Sequence, residues 1–529
     1  MFDLFQFLHS SLLILVSILL LYFVKIFIFQ TAPTKDNNQP KAYPLIGHFI
    51  AVYQQKDNVF QWLTKLLISS PSSTFILHRP LGVKSILTAD PIIVEHILKT
   101  RFSIYQKGPF QKGVLRDLLG DGIFNSDGET WKVQRQIASY EFNTKSLRTF
   151  VQDVVEFELE NRLIPILFKA AKNGTVLDLQ DILKRFAFDN ICKIAFGYDP
   201  QYLSPSLPEA MFAVAFEDAV MISSRRYQSF FPILWKISRF LNIGSEKRLR
   251  KCIVEIRKFA NNLVKQRKQE RMMNTVLFET NDLLSRFLKS GHLDEKFVSD
   301  IVISFILAGR DTTSAALTWF FWLLHKNKSV EEEILKEIDS KGKQKKITEN
   351  FSVFEETKEM VYIHAALCET MRLYPPVAAD LKEAMDDDIL PGGIYVKKGT
   401  RITYHPYAMG RLEKIWGPHW LEFQPERWLE VEHRSLNKDP EVVQDGSKVE
   451  RWKFVPRDPY SYPVFQAGPR ICLGKEMAFL QMKRVVAAVL ERFRVVPMVE
   501  DGFEPVYVPL LTAKMQGGLP VRIEERIPI

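Results

Sequence analysis

Hydrophobic positions crowd the start of the chain: Leu4 to Val24 holds 21 residues without a formal charge, rich in Leu, Ile, Val and Phe. A helix of that length spans about 30 Å, the thickness of a bilayer's hydrocarbon core. Asp3 precedes the run, and Lys25 and the bulky Ile26-Phe27-Ile28-Phe29 follow it. A cleaved signal peptide has a shorter apolar core, basic residues ahead of it and small residues at its end, so the pattern predicts a retained anchor over residues 1–29. Lys25, Lys35 and Lys41 lie on its C-terminal flank. Positive charge marks the cytosolic side, which predicts a single transmembrane pass with the main body in the cytosol. Residues 30–48 follow as a proline-rich connector, in which Pro40 and Pro44 fix φ and stiffen the chain.

From residue 49 to 529 the pattern predicts one large domain, mainly α with a smaller β region. Thr74-Phe75-Ile76-Leu77 and Ser85-Ile86-Leu87-Thr88 read as paired strands with a turn near Pro80-Leu81-Gly82. Asp90-Pro91 opens a helix, with Pro91 at its first position. Lys296 to Lys326 contains no proline and one glycine, Gly309, and is apolar almost throughout Ile301–Leu307 and Ala315–Leu324. A helix apolar on all sides belongs in a core or a membrane. Gly309-Arg310-Asp311-Thr312-Thr313 interrupts it with charges that a second membrane span would bury at high cost. A long buried central helix that opens locally at this polar break is therefore expected. Pro391-Gly392-Gly393 predicts a hairpin within Asp386–Thr403, Lys475–Leu490 a helix, and Lys341–Lys346 and Glu430–Val449 charged surface loops.

Composition narrows the class. With 46% hydrophobic and 25% charged residues, 529 positions can bury a large core. A net charge of +9 suits nucleic acid, an anionic membrane or an acidic protein partner. No zinc-finger spacing, RNA-binding aromatic motif or dense Lys/Arg run is present, which argues against nucleic acid. The four cysteines, Cys192, Cys252, Cys368 and Cys472, form no C-x-x-C pair and are too sparse for a disulfide scaffold, so a reducing compartment is expected.

Four constellations carry chemistry. Phe465-Gln466-Ala467-Gly468-Pro469-Arg470-Ile471-Cys472-Leu473-Gly474 fits F-x-x-G-x-R-x-C-x-G at every specified position. A thiolate ligand needs a lowered pKa, and Cys472 stands just before the helix expected from Lys475, where free amides face the sulfur. Gly468 and Gly474 would let the backbone approach a flat macrocycle, and Arg470 could pair with an acidic group on it. Glu369 and Arg372, at i and i+3 on one helix face, suggest with Arg427 a buried structural network. Asp311 beside Thr312 suits proton delivery to bound oxygen. Trp131 and Arg135, at i and i+4, present one helix face as donors.

In this order the four motifs resemble the cytochrome P450 superfamily from Pro40 to the end of the chain, and the anchor and connector resemble its microsomal type. The runs Ile301–Leu324, Tyr462–Lys483, Arg135–Leu147 and Phe186–Ala195 are similar to the plant fatty-acid ω-hydroxylase clan, in the branch with fatty-acid and jasmonoyl-amino-acid ω-hydroxylases. Val377-Ala378-Ala379-Asp380-Leu381-Lys382 departs from a V-P-V-D-S-K-like pattern expected there. The resemblance implies heme b (iron protoporphyrin IX) on Cys472, with Trp131, Arg135, Arg470, Phe465, Gly468 and Gly474 around it. It implies protons through Asp311 and Thr312, and NADPH-derived electrons from a separate NADPH–cytochrome P450 reductase, because the chain has no flavin or Rossmann fingerprint. Expected partners are also membrane lipid, O2 and a small lipophilic substrate walled by Phe124, Phe305, Val377, Ala378, Leu510 and Leu511. The endoplasmic reticulum membrane is the implied location. A sterol side-chain terminal hydroxylase, or a haem-thiolate isomerase or lyase that uses no O2, are the alternatives.

Overall fold

The computed structural model describes residues 40–526, apart from 56–57, 274–281, 291–293, 348–351, 433–450 and 501, together with residues 15, 17, 18, 21 and 22. Apart from those five positions, the anchor expected over 1–29 lies outside the described residues, as do residues 30–39 of the connector. No helix among the described residues is long and apolar enough to cross a membrane.

Two short helices, α1 (Phe49–Gln54) and α2 (Val59–Ser69), lead into the larger sheet. Its first strands are the expected pair, β1 (Thr74–His78) and β2 (Lys84–Thr88), antiparallel with Thr74 opposite Thr88. The turn between them places Leu81 and Gly82 at positive φ. Asp90 then caps the next helix by accepting the N–H of Ile92 at 2.9 Å, with Pro91 at its first position. A third strand, β3 (Tyr105–Gln106), lies at the far edge of the same sheet.

Helices α3 (Gly108–Leu119), α4 (Gly128–Ser139), α5 (Leu179–Phe196), α6 (Met211–Gln228) and α7 (Gly244–Met273) build the middle of the chain. Helix α8 (Glu295–Lys326) is the 32-residue central helix, capped by Asp294 and buried along nearly its whole length. Trp319, Phe320 and Trp322 at its C-terminal half are almost completely shielded. Helix α5 packs along it so closely that a Cβ on Gly309 would stand 2.5 Å from Ile191 Cγ1. The glycine of the polar break thus serves helix packing. The α-helix runs on through Gly309–Thr313 without the local opening expected, and the Thr312 hydroxyl bonds back to the Ala308 carbonyl at 2.6 Å.

Helix α9 (Val361–Leu373) is followed by β4 (Asp380–Ala384) and β5 (Arg401–Tyr404), which complete a five-stranded sheet in the order β1-β2-β5-β4-β3. β5 pairs parallel with β2 and antiparallel with β4. The hairpin expected around Pro391-Gly392-Gly393 pairs Asp388–Leu390 with Ile394–Val396. Helix α10 (Lys475–Arg492) closes the core behind the cysteine loop. Two loop expectations are corrected. Lys341–Lys346 is the C-terminal end of the helix Lys328–Ile347, where Lys341 pairs with Glu359 at 2.7 Å. Glu430–Glu432 belongs to a strand that pairs with Arg451–Phe454, while 433–450 lies outside the described residues.

Candidate active site

The loop before α10 is built backwards from its hydrogen bonds. Cys472 N–H donates to the Phe465 carbonyl at 2.8 Å, closing the loop on itself, and the Phe465 ring packs on Phe479 at 5.2 Å. Gln466 and Gly468 both sit at positive φ. At Gly468 a Cβ would stand 2.2 Å from the Leu98 carbonyl oxygen. Its lack of a side chain therefore admits the segment His96–Thr100; Gly468 does not line the cavity, which corrects the expected approach to a macrocycle. Gly474 does line it, 4.0 Å from the Cys472 sulfur as measured from an ideal Cβ.

Cys192, Cys252 and Cys368 are buried, whereas Cys472 is exposed. That surface meets an internal cavity of about 770 Å³, toward the upper end for a ligand pocket. Burial away from bulk water pushes the Cys472 thiol up, while the Gly474 N–H and the charges of Arg135 and Lys475 pull it back. The expected lowering by the helix end acts through the Gly474 N–H and is smaller than the effect of burial.

Around Cys472 the cavity wall collects cations and an indole. Trp131 and Arg135 of α4 both line it, Arg135 donating to the Ile471 carbonyl at 2.8 Å. Arg470 stacks over Trp131 at 4.4 Å and pairs with Asp127 at 2.7 Å. Lys107 went unnoticed in the sequence, and it joins Asp380 and Lys382, of the stretch Val377–Lys382 noted there, on the same wall. Lys107 and Lys382 reach Asp380 at 3.3 and 2.6 Å. Burial opposes ionisation of Asp380, but the two lysines overcome it and hold the carboxyl well below the usual range. Burial, with Lys107 and Arg470 nearby, draws Lys382 down despite Asp380. D-x-K in a strand was the available signal, but alternate residues of an ordinary strand carry the same letters.

Helix α8 brings Ala308, Gly309, Thr312 and Thr313 to the same cavity. Asp311 is not among its lining residues. Neighbours on a helix project about 100° apart, so the carboxyl beside a cavity-facing Thr312 turns elsewhere. It accepts from Arg310 at 3.0 Å and from the Thr512 hydroxyl at 3.3 Å, in a small pocket shared with Lys184, Glu217 and Lys514. Burial pushes the Asp311 carboxyl up, opposed by Arg310. Thr512 lines both this pocket and the main cavity. Asp311 thus meets the main cavity only through the Thr512 hydroxyl that donates to it.

All six expected wall residues, Phe124, Phe305, Val377, Ala378, Leu510 and Leu511, line the cavity. Away from it, Glu369, Arg372 and Arg427 form one network. Glu369 accepts from Arg372 at 2.7 and 2.8 Å, from Arg427 at 3.2 Å and from the Trp428 indole at 3.0 Å. Arg372 also ties down the carbonyls of Gly410, Trp420 and Glu422.

A thiol, an indole and four cations on one wall, in a cavity otherwise mainly apolar, fit a flat metal macrocycle with acidic edges, and so define a haem-thiolate centre. The chain belongs to the cytochrome P450 family, whose model matches residues 38–518. It is 54% identical to cytochrome P450 94A2 of Vicia sativa over 498 residues, 94% of this chain and 93% of that protein. It is 46% identical to cytochrome P450 94B3 of Arabidopsis thaliana over 519 residues, 97% and 98% of the two chains. Cytochrome P450 86B1 of Arabidopsis thaliana is 39% identical over 530 residues, covering 97% and 90%. The protein is accordingly a monooxygenase that uses haem, O2 and NADPH-derived electrons delivered by a reductase, and acts on a lipophilic substrate.

Proposed function

We propose that the protein hydroxylates the terminal (ω) or a near-terminal aliphatic carbon of a lipid, a fatty acid or a jasmonoyl-amino-acid conjugate, while held at the endoplasmic reticulum membrane by residues 1–29. The observation that carries this reading is the cavity lining: Phe124, Phe305, Val377, Ala378, Leu510 and Leu511 give an extended apolar surface continuous with Cys472 and Thr312. A terminal methyl C–H is stronger than its methylene neighbours, so attack on it depends on positioning. Apolar walls supply that positioning and exclude water.

Cys472 would hold the haem iron through its sulfur, and haem bound there would supply the activation of oxygen that oxidises an unactivated carbon. Trp131, Arg135, Arg470, Lys107 and Lys382 hold its acidic edge, by charge-assisted hydrogen bonds. The Thr312 hydroxyl donates its own proton to the Ala308 carbonyl, which leaves its oxygen at the cavity as an acceptor for an incoming proton. Asp311 passes protons to the Thr512 hydroxyl, which hands them to the cavity. Glu369, Arg372 and Arg427 brace the turns of residues 410–422 and the Trp428 indole.

The test incubates purified protein with reductase, NADPH and dodecanoic acid, and identifies products by mass spectrometry. Hydroxylation at the last one or two carbons supports the reading. Oxidation confined to a sterol side chain, or rearrangement of a lipid hydroperoxide with no O2 consumed, contradicts it.

A further inference from the structure

We propose that Arg79 anchors the carboxylate of the substrate, so that the enzyme selects lipid acids over neutral lipids of the same shape; this rests on the lipid-hydroxylase reading above. Arg79 follows β1 and lines the same cavity as Cys472 and Thr312. The other cations of the cavity are assigned above to the acidic edge of the haem and also have protein partners: Lys107 and Lys382 share Asp380, Arg470 pairs with Asp127, and Arg135 donates to the Ile471 carbonyl beside Cys472. Arg79 has no such partner. Its Nη1 reaches only the Ser229 carbonyl, at 3.4 Å, long for a hydrogen bond. Its Nε is buried without a partner. No ion pair with an acid of the described residues involves it.

Its surroundings make the charge costly. The guanidinium sits 5.3 Å from the centre of the Phe230 ring, and Phe230 packs on Phe49 at 5.7 Å. Burial and then the neighbouring Arg401 draw its pKa down to about 10, which still leaves it cationic at neutral pH. Arg401, with an unpartnered buried nitrogen and Glu383 facing it, adds a partly offset positive charge nearby. A half-buried cation without a counter-ion gains strongly from an incoming anion. A planar guanidinium fork matches a carboxylate in two parallel bonds.

The position fits a head-group site. Ser229, Phe230 and Phe49 belong to α1 and to the residues just after α6, neither of which carries a residue of the Cys472 wall. Tyr53 of α1 lines the cavity and is 60% exposed, marking solvent at this part of it. A lipid acid held by its head at Arg79 extends its tail along the apolar wall, and the last carbons are the ones that reach the Cys472 end. Anchoring the head thereby fixes which carbon is oxidised.

The test uses the haem-loaded full-length enzyme with reductase. Binding of dodecanoic acid and of its methyl ester is measured by calorimetry, and products from both are then mapped by carbon. The wild type binds the acid about tenfold or more tighter than the ester. In Arg79→Ala and Arg79→Gln the acid loses about ten- to a hundredfold in affinity, the value of a charged hydrogen-bonded pair, and the acid-to-ester ratio approaches one. Oxidation of the acid also spreads to more carbons. Arg79→Lys, which keeps the charge but not the fork, falls between, and carries the test should the others fail to take up haem. An acid-to-ester ratio unchanged in these variants overturns the anchor. A wild type that oxidises the ester as readily as the acid also overturns it, yet leaves the hydroxylase reading standing. A wild type that oxidises neither overturns both.

Discussion

Replacing Arg372 by alanine probes the brace of the turns of residues 410–422. Arg372 and Glu369 are both fully buried. The arginine gives Glu369 two hydrogen bonds and supplies donors to three backbone carbonyls, at Gly410, Trp420 and Glu422. Truncation removes the closest counter-charge of a buried carboxylate, which costs about 3–5 kcal/mol. Arg427 offers a graded control. Its side chain is 13% exposed and meets Glu369 through one bond of 3.2 Å, while Arg372, Trp428 and Gln424 continue to serve the carboxylate. Arg427→Ala is therefore expected to cost about 1.5–3 kcal/mol, the range of one charge-assisted hydrogen bond. Removing the acid as well, in Arg372→Ala/Glu369→Ala, should recover part of the loss, because no charge is then stranded. Unfolding and cofactor release are linked here, so a single two-state free energy is not defined. The assay follows the denaturant midpoint by far-ultraviolet circular dichroism and cofactor retention by absorbance in the same titration. Arg372→Ala indistinguishable from wild type in both, or no worse than Arg427→Ala, would refute the reasoning.

Three further outcomes follow from the site and its surroundings. Thr312→Ala should keep NADPH consumption while product falls about tenfold or more and peroxide rises, since acid–base assistance is worth about 10²–10⁴-fold; unchanged coupling removes Thr312 from proton delivery. Glu158, fully buried beside Arg162 and Asp189, has its carboxyl pushed up to about 7 by burial, against the pull of Arg162. A raised folded pKa means stability is full below about 4.5, the ordinary value of a glutamate, and is lost as pH rises through about 7. Glu158→Gln should flatten that slope in urea titrations between pH 4.5 and 8, and a slope as steep as in wild type counts against the assignment. Deleting residues 1–29 should move much of the protein from the membrane pellet to the soluble fraction; full retention in the pellet places the membrane contact elsewhere.

The sequence carried most clearly what is local in the chain. The Cys472 loop, the α8 stripe and the Glu369/Arg372 pair each keep their chemistry within a few positions of one another, so spacing alone brings the side chains to one face. The features it missed are made by tertiary placement. Lys107 and Asp380 stand 273 positions apart and meet only because β4 runs beside the chain that enters α3. Arg79 reads as one more surface arginine after a strand, and its lack of an ion pair with any acid of the described residues is visible only once Phe230 and Ser229 are placed beside it. Asp311 was misplaced because adjacency in sequence is not adjacency in space on a helix; the residue that joins it to the cavity, Thr512, lies 201 positions away. Gly468 keeps its requirement for a bare backbone, but the neighbour is the Leu98 carbonyl. The helical end at Lys341–Lys346 was hidden because a charged helix end and a charged loop have the same composition.

The most direct measurement is the absorbance of the reduced, carbon-monoxide-bound protein, wild type against Cys472→Ala. Sulfur ligation at position 472 predicts the red-shifted Soret band of a thiolate-bound ferrous carbonyl in the wild type and its loss in the variant. A wild type that takes up no porphyrin, or a variant that keeps the band, contradicts the account at its root.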